Sequence, residues 1–393
     1  MFSKKIIFAF ALLVSLQSVA QSYIPAYQSR ANMVSQTNIN TLLQDIENLG
    51  VKTTGSVANN NALLWLKNKY LSFGYTASQV QEIPFSYATG SGNVNSTNLV
   101  VTKTGTVYPN IFVIVCGHYD SIVGPGVDDN GSGVASILEI ARILKDVPTE
   151  YSIKFINFSG EEQGLKGSYN YVANVVNATN PKMNIKVVFN LDQVGGKIGN
   201  NNNTIYCDQD QGGLSSNNAA SQAMTQQLAN CTALYSPLLT AFDPAYASDY
   251  IPFEQNGEVI TGYYEYIRSY TEHTTNDTYA NVDIVYVKNV AMAATGAVQH
   301  FAVAQTTLST KESAMSDNDA NFYPIPTTSL LNIDFVKLGK ENFLVEIYDM
   351  SGKLVISEFN KKQINVSGLE NGVYLAKLTV GDKIYRKKIV IKK

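Results

Sequence analysis

The chain has 393 residues, of which 45% are hydrophobic and 16% are charged. At roughly 150 residues per domain, this length predicts about two to three folded units, and the apolar share excludes an intrinsically disordered chain. The 29 basic and 32 acidic side chains give a net charge of −3, so the composition offers no electrostatic case for binding nucleic acid.

The first twenty residues have the pattern of an export signal. Lys4 and Lys5 precede a short apolar stretch, and small residues close the segment at Ala20. A membrane anchor is the alternative, but the apolar stretch is shorter than the ~20 residues that a bilayer requires. The pattern therefore predicts a signal peptide at residues 1–20 and a protein that is secreted or displayed at the cell surface by way of the periplasm, with no membrane span.

The apolar pattern of residues 21–308 predicts one large α/β domain. Residues 39–73 have the spacing of two amphipathic helices around a loop. Further strands are predicted at 79–84, 98–102, 111–116, 153–158, 185–191 and 259–264, and further helices at 132–145, 167–176, 217–230 and 282–303. Apolar strands that alternate with helices predict a mostly parallel, twisted sheet with helices on both faces.

The last part of the chain has a different pattern. Residues 309–321 are polar and lack a period, which predicts a linker. From residue 322 onward, short runs of alternating polarity are separated by glycine-containing turns, and this predicts a small all-β sandwich at residues 322–393. The charge follows the same division, because residues 320–393 carry 12 basic and 7 acidic side chains whereas residues 21–319 carry 15 and 25.

Polar residues follow each central strand of the predicted sheet at the point where the strand ends. His118 follows the strand at 111–116, Glu161 and Glu162 follow the next strand, and Asp192 follows the third. A parallel sheet places its ligand site beyond the carboxyl ends of its strands, so we expect these side chains to lie close together. Taken singly, each motif is weak, and its position after a buried strand is what gives it weight.

Histidine and carboxylate side chains in such a group favour a zinc site. The candidate ligands are His118, Asp128, Glu162, Asp192 and His273. Five ligands are too many for one tetrahedral ion with an open position, but they suit two ions about 3.5–4 Å apart with one bridging carboxylate. Neighbours on an extended chain point in opposite directions, so one of Glu161 and Glu162 can bind a metal while the other faces the metal-bound water and takes its proton. The alternative for the acidic run that begins at Asp128 is a helix cap.

Residues 118–278 resemble the M28 family of zinc peptidases, whose bacterial members include secreted dizinc aminopeptidases. The matching segments are His118-x-Asp120, the Pro-Gly-x-Asp-Asp-Asn run at 125–130, Glu161-Glu162 with Gly164, Leu191-Asp192, His273-Thr274 and Asp277-Thr278. The resemblance implies two zinc ions per chain, bridged by Asp128. His118 and Asp192 would complete one zinc site, and Glu162 and His273 would complete the other.

The same resemblance implies further roles. Glu161 would act as general base on the metal-bound water, and Asp120 would orient His118. Secreted members often supply a tyrosine hydroxyl to the oxyanion from a stretch that precedes a Ser-Asp pair. Ser248-Asp249 is such a pair, and Tyr246 is our candidate for the oxyanion donor. A tyrosine that only packs is the alternative.

The tail resembles the Bacteroidetes-type C-terminal sorting domain of the type IX secretion system. The matching segments are Phe322–Pro326, Val345–Lys353, Leu369–Tyr374 and the basic pair Lys387-Lys388, although Ile325 stands where the family usually has asparagine. The resemblance implies that the type IX secretion machinery carries the protein across the outer membrane. A sugar-binding sandwich is the alternative, and no aromatic platform supports it.

Together these features predict a secreted, monomeric dizinc aminopeptidase that hydrolyses the N-terminal residue of peptides or proteins. Two other functions stay open on the same scaffold: a glutaminyl cyclase-like zinc acyltransferase, and a non-catalytic surface binding protein. The sequence contains neither the Gly-x-Ser-x-Gly elbow of a serine hydrolase nor a phosphate-binding P-loop.

Overall fold

A mixed sheet of eight strands forms the centre of the larger unit, in the order β1-β2-β4-β3-β5-β8-β6-β7. The strands are β1 Val80–Thr89, β2 Gly92–Lys103, β3 Tyr108–His118, β4 Tyr151–Phe158, β5 Asn184–Leu191, β6 Thr204–Gln209, β7 Leu239–Pro244 and β8 Ile260–Glu265. The central strands β4, β3, β5 and β8 run parallel to one another, and β6 and β7 are parallel to each other. The β1–β2 hairpin pairs antiparallel with β4, and β6 pairs antiparallel with β8.

Helices cover both faces of this sheet. They are α1 Pro25–Ala31, α2 Gln36–Asn48, α3 Val57–Ser72, α4 Gly133–Leu144, α5 Lys166–Tyr171, α6 Ser215–Tyr235, α7 Ile251–Gln255 and α8 Ile284–Ala302. Successive residues of a strand face opposite sides, so Val113 and Val115 of β3 join a core that includes α1–α4, α6 and α8, whereas Ile114 and Cys116 join a second core with α5 and α7. The predicted α/β class, with a mostly parallel sheet between helices, is confirmed.

The structure is a computed structural model that describes residues 21–306, 320–335, 343–349, 353–380 and 383–393. The chain divides into two compact units, Met1–Thr307 and Leu308–Lys393. The predicted signal peptide at residues 1–20 and most of the predicted linker at 309–321 lie outside the described residues. Within the described residues, no helix combines the length and the apolar character needed to cross a membrane.

The smaller unit consists of two antiparallel sheets. One has the order β13-β10-β9 and the other β12-β11-β14-β15. Their strands are β9 Ala320–Tyr323, β10 Leu330–Phe335, β11 Phe343–Tyr348, β12 Leu354–Phe359, β13 Gln363–Asn365, β14 Gly372–Val380 and β15 Lys383–Ile391. Alternate residues from both sheets, such as Ile333, Val345 and Leu378, share one buried core. The all-β prediction for this region is confirmed.

Candidate metal centre

The carboxyl ends of the central parallel strands bring the predicted ligands together. His118 is the last residue of β3, Asp192 directly follows β5, and Glu161 and Glu162 lie in the loop after β4. The loop between β3 and α4 adds Asp129 to the same edge of the sheet. The topology places chemical groups from three neighbouring strands within reach of one another, as the sequence predicts.

The first group of ligand atoms surrounds His118. Its Nε2 atom lies 3.2 Å from Oδ1 of Asp129 and 3.3 Å from Oδ1 of Asp192. Its Nδ1 atom lies 3.2 Å from the backbone carbonyl of Asp120 and 3.7 Å from the carboxylate of the same residue. A proton held at Nδ1 by Asp120 leaves Nε2 free to bind a metal.

The second group surrounds His273. Its Nε2 atom lies 2.8 Å from Oε2 of Glu162 and 3.3 Å from Oδ2 of Asp129. The His273 side chain is 50% exposed, whereas the Asp129 and Glu162 side chains are each 3% exposed. The second group is therefore open to solvent on its histidine side.

Asp129, and not the predicted Asp128, lies between the two groups. Each carboxylate oxygen of Asp129 faces a different histidine. The carboxylate of Asp128 instead accepts hydrogen bonds from the backbone N–H of Gly195 at 2.8 Å and from Oγ of Ser269 at 2.6 Å. The prediction of Asp128 as the bridging ligand is corrected accordingly. The physical reason is that Asp129 has an extended backbone (φ −102°, ψ 92°), so the two neighbouring carboxylates point to opposite sides.

Two charged residues, Asp277 and Lys52, form hydrogen bonds with the loop that carries Asp129. The carboxylate of Asp277 accepts hydrogen bonds from the backbone N–H groups of Asp128 at 2.6 Å and of Asp129 at 3.0 Å. Lys52, whose Nζ donates to the carbonyl of Pro125 in the same loop, is 3% exposed. Burial lowers the pKa of Lys52 to about 8, although the negative charge of Asp277 opposes this shift. The sequence analysis missed Lys52 because a single lysine in a loop forms no recognisable pattern.

Asp120 fastens the loop that carries the paired glutamates. Its carboxylate accepts hydrogen bonds from the hydroxyl of Thr54 at 3.0 Å and from the backbone N–H groups of Glu161 and Glu162 at 3.3 and 3.4 Å. The predicted role of Asp120 was to orient His118. The contacts show that it also links that histidine to the glutamate loop and to the N-terminal segment.

Asp192 is fixed by a neighbouring hydroxyl. Oγ of Ser248 donates to Oδ2 of Asp192 at 2.6 Å, and the amide of Asn190 donates to the same Oγ at 2.8 Å. Oδ1 of Asp192 is thereby directed towards His118. The Ser-Asp pair that the sequence analysis used to locate Tyr246 thus contacts a candidate ligand directly.

The candidate ligands shift one another's pKa values because they lie close together and are mostly buried. Burial favours a raised pKa for Asp129, but hydrogen bonds from His118 and His273 outweigh it and hold the pKa below its usual range. Burial and the charge of Asp129 raise the pKa of Glu162 to about 8. The hydrogen bond to Asp129 is the largest of the effects that raise the pKa of His273 to about 9. So many buried acidic groups stabilise a bound cation.

The two groups fit a pair of metal ions. In the described residues, the ligand atoms of His118, Asp129 and Asp192 lie within 4.8 Å of one another, and so do those of Asp129, Glu162 and His273. Each group offers one imidazole nitrogen and two carboxylates, a donor set that zinc accepts with a coordination position left open. The shared carboxylate of Asp129 is the arrangement expected of a two-metal site.

A cavity of about 690 Å³ opens in front of these ligands. Its lining residues are Asp129, Glu161, Glu162, Gly164, Leu165, Asp192, Gln193, Tyr206, Asp243, Tyr246, Ala247, Tyr264, Tyr266, Arg268, Tyr270 and His273. Glu161 lies beside the ligands without belonging to either metal group. The hydroxyl of Tyr246 lies 3.5 Å from the backbone carbonyl of Asp192, and its ring centroid is 4.8 Å from that of Tyr264. Tyr246 therefore lines the cavity next to the backbone of Asp192.

The third histidine is remote from this site. His300 belongs to α8, and its Nε2 atom lies 2.8 Å from the hydroxyl of Tyr235 in α6. It belongs to neither ligand group. Within the described residues, His300 is thus a helix residue in contact with Tyr235 and not a candidate ligand.

Family models match both parts of the chain. The model of Peptidase family M28 matches residues 98–298, just over half of the chain. The model of the secretion system C-terminal sorting domain matches residues 321–392. The two segments correspond to the two regions that the sequence analysis distinguished.

Similar proteins include peptidases and one other kind of enzyme. Aminopeptidase YwaD of Bacillus subtilis is 43% identical over 106 residues, which are 26% of this chain and 23% of that protein. Segments matched in the curated relatives span between 18% and 42% of their lengths. BSAP, a zinc aminopeptidase from Bacillus subtilis, has a TM-score of 0.56 at 17% identity, covering 75% of this chain and 98% of that one. Macrostomum lignano glutaminyl cyclase has a TM-score of 0.62 at 14% identity, covering 73% and 97%. At these identities the two structures show a shared fold.

Proposed function

The chain belongs to peptidase family M28, and we propose that it is a secreted, zinc-dependent aminopeptidase that removes the N-terminal residue of peptides or proteins. The observation that carries this proposal is the carboxylate of Asp129. Its two oxygens face two separate histidine–carboxylate groups at the floor of an open cavity. A single structural carboxylate has no need of this arrangement, whereas a two-metal hydrolase requires it.

The metal ligands proposed are those that the geometry groups together. His118, Asp129 and Asp192 would hold one zinc ion, and Asp129, Glu162 and His273 would hold the second. When bound, the ions would polarise the substrate carbonyl and make water more acidic. The fixed positions of Asp192 and His118, each held by a second hydrogen bond, orient the ligand atoms for this task.

Glu161 is the proposed general base. It lines the cavity next to the ligands, and its backbone N–H is tied to Asp120, which fixes the position of the loop. From there its carboxylate can accept a proton from the attacking water and pass it to the leaving amine. Glu162, its neighbour, points towards His273 instead.

Tyr246 is the proposed oxyanion donor. Its side chain lines the cavity, and its hydroxyl lies 3.5 Å from the backbone carbonyl of the proposed ligand Asp192. A hydroxyl in this position can donate a hydrogen bond to the oxygen that becomes negative when water attacks the peptide carbonyl. The packing of its ring against Tyr264 and Tyr250 limits the movement of the hydroxyl.

The C-terminal unit supports an extracellular location. Its sequence matches a secretion sorting domain, and its fold is an antiparallel β-structure of its own. We propose that the type IX secretion machinery recognises it and that the peptidase unit acts outside the cell on peptides or protein N-termini.

A panel of aminoacyl anilides tests this function. We expect hydrolysis of substrates with a free amine, no hydrolysis of their N-acetylated counterparts, loss of activity with a chelator, and recovery on addition of Zn²⁺. Glu161→Gln should abolish turnover, because an amide cannot accept the proton. Glu82→Gln, a matched change in β1 where Glu82 pairs with Lys67 at the surface, is the control.

Cleavage of N-acetylated substrates would contradict the aminopeptidase proposal. A glutaminyl cyclase-like transferase shares the fold, and conversion of an N-terminal glutamine to a cyclised product at one zinc per chain would favour that alternative. Zinc-free protein of full stability would favour a non-catalytic binding protein.

A further inference from the structure

The part of the cavity lining that comes from β6, β8 and the segment after β8 consists mainly of tyrosines. Tyr206 of β6 pairs in register with Tyr264 of β8, and the ring of Tyr266 lies 4.8 Å from that of Tyr206. These rings present aromatic faces and phenolic hydroxyl groups. A pocket for a leucine or valine side chain would instead be lined by aliphatic groups. Aromatic faces attract cations, so the wall is suited to a charged amine or guanidinium.

A carboxylate stands at the end of this wall. Asp243 lies in β7 opposite Asp208 of β6, and Tyr206 lies two residues before Asp208. Residues two apart on a strand share a face, so Asp243 and Tyr206 are on the same side of the sheet. Asp243 is exposed, lines the cavity and has no ion-pair partner among the residues that the structure describes.

The cation already present in the cavity wall is neutralised. Arg268 forms an ion pair with Glu272, and its guanidinium lies over the rings of Tyr264 and Tyr270 at 6.0 and 5.5 Å. With this pair neutral, Asp243 contributes the uncompensated charge of the wall away from the metal ligands. The wall is therefore negative, and it favours a positively charged group.

Distance adds a second requirement. The order of the strands places β8 and β6 between β5, which ends at the ligand Asp192, and β7, which carries Asp243. Neighbouring strands are about 4.8 Å apart, so Asp243 stands about 14 Å across the sheet from the end of β5. A residue bound at the metal ligands would span this backbone distance only if its side chain were long and the side chain of Asp243 extended towards it.

We propose that the cavity selects substrates whose N-terminal residue is lysine or arginine, with the side-chain cation paired to Asp243 beside the rings of Tyr206 and Tyr266. This inference rests on the proposed aminopeptidase function, because it assumes that the N-terminal residue lies in the cavity. Asp243 would determine specificity without taking part in bond cleavage. The stem of a lysine or arginine would lie along the tyrosine wall, and its charge would reach the carboxylate.

The test compares arginine, lysine, methionine and leucine anilides. In the wild-type protein we expect the two basic substrates to have the highest kcat/KM. In Asp243→Asn we expect kcat/KM for the basic substrates to fall about tenfold, as loss of one partly exposed ion pair with an aromatic contact implies, while the leucine and methionine substrates change little. Asp146→Asn, which removes an exposed carboxylate next to Lys145, is the charge-matched control.

Equal losses for basic and apolar substrates in Asp243→Asn would overturn the proposal, as would a wild-type preference for leucine. Calorimetric titration with free L-arginine and L-leucine separates this inference from the proposed function. Tighter binding of arginine that is lost in Asp243→Asn would support the cation site even if the protein hydrolysed no anilide. Equal affinity for the two amino acids would overturn the site even if the protein were an active aminopeptidase.

Discussion

The two sides of the candidate active-site cavity differ in how deeply their residues are buried. Three proposed ligands on the metal side, His118, Asp129 and Asp192, are between 1% and 3% exposed, and only His273 is half-exposed. Asp129 and Asp192 are each held by a hydrogen bond to a distant part of the chain. On the opposite side, Tyr266 and Tyr270 are 45% and 74% exposed. Buried groups with several partners keep one geometry, whereas exposed loops tolerate substitution. The metal side would therefore determine the reaction, and the tyrosine side would determine which substrates undergo it.

Some of the residues that support the metal side of the cavity come from the N-terminal part of the chain. Lys52 contacts the loop that carries Asp129, and Thr54 contacts Asp120. Both residues come from the segment between α2 and α3. Apolar residues of α1, α2 and α3 are buried in the core that also contains α4 and α8. The N-terminal helices are thus part of the folded peptidase unit, and the segment between α2 and α3 contacts the loops that carry candidate ligands.

Tyr246 lies where the two halves meet, and loss of its hydroxyl should have a larger effect than loss of the Lys52 ammonium. Tyr246→Phe keeps the ring and removes only the hydroxyl proposed to donate to the oxyanion. We expect kcat to fall about 10²–10³-fold with little change in KM, because the lost hydrogen bond forms only in the transition state. Steady-state kinetics on one anilide, with the exposed Tyr169→Phe as control, measures the effect. A rise in KM with unchanged kcat would instead assign Tyr246 to substrate binding.

Lys52 tests whether the metal side depends on the N-terminal segment. Lys52→Met removes the buried ammonium that holds the carbonyl of Pro125 and offsets the charge of Asp277. We expect zinc affinity to fall about 10–100-fold, as is usual when a residue that supports metal ligands is lost. Competition with a chelating dye measures the affinity, and the surface substitution Lys67→Met is the control. Unchanged affinity would show that the loop keeps its geometry without Lys52.

The central sheet was the most predictable part of the fold. Strands β3, β4 and β5 are buried on both faces and therefore read as continuous apolar runs, which also located the residues at their ends. The sequence analysis missed α1, β6, β7 and α7. The two helices have only 7 and 5 residues, and β7 is largely exposed, so none of these three elements has a long periodic pattern.

The choice between two adjacent aspartates could not be made from sequence. Asp128 and Asp129 have the same chemistry, and the resemblance favoured the first. Their orientations depend on the extended backbone at Asp129 and on partners more than 60 residues away, such as Gly195 and Ser269. Tertiary contacts of this kind leave no local pattern in the sequence. The position of His118 at the end of an apolar strand, in contrast, can be recognised from the sequence.

The most direct test of a two-metal site bridged by Asp129 is the zinc content of variants at the adjacent positions 128 and 129. The wild-type protein should bind about two zinc ions per chain, measured by elemental analysis after dialysis. Asp129→Asn should bind at most one, because an amide offers a single oxygen and carries no charge. Asp128→Asn should still bind two, because its remaining carbonyl oxygen can accept the hydrogen bond from Gly195. The reverse result, with zinc retained in Asp129→Asn and lost in Asp128→Asn while both variants stay folded, would contradict a bridging role for Asp129.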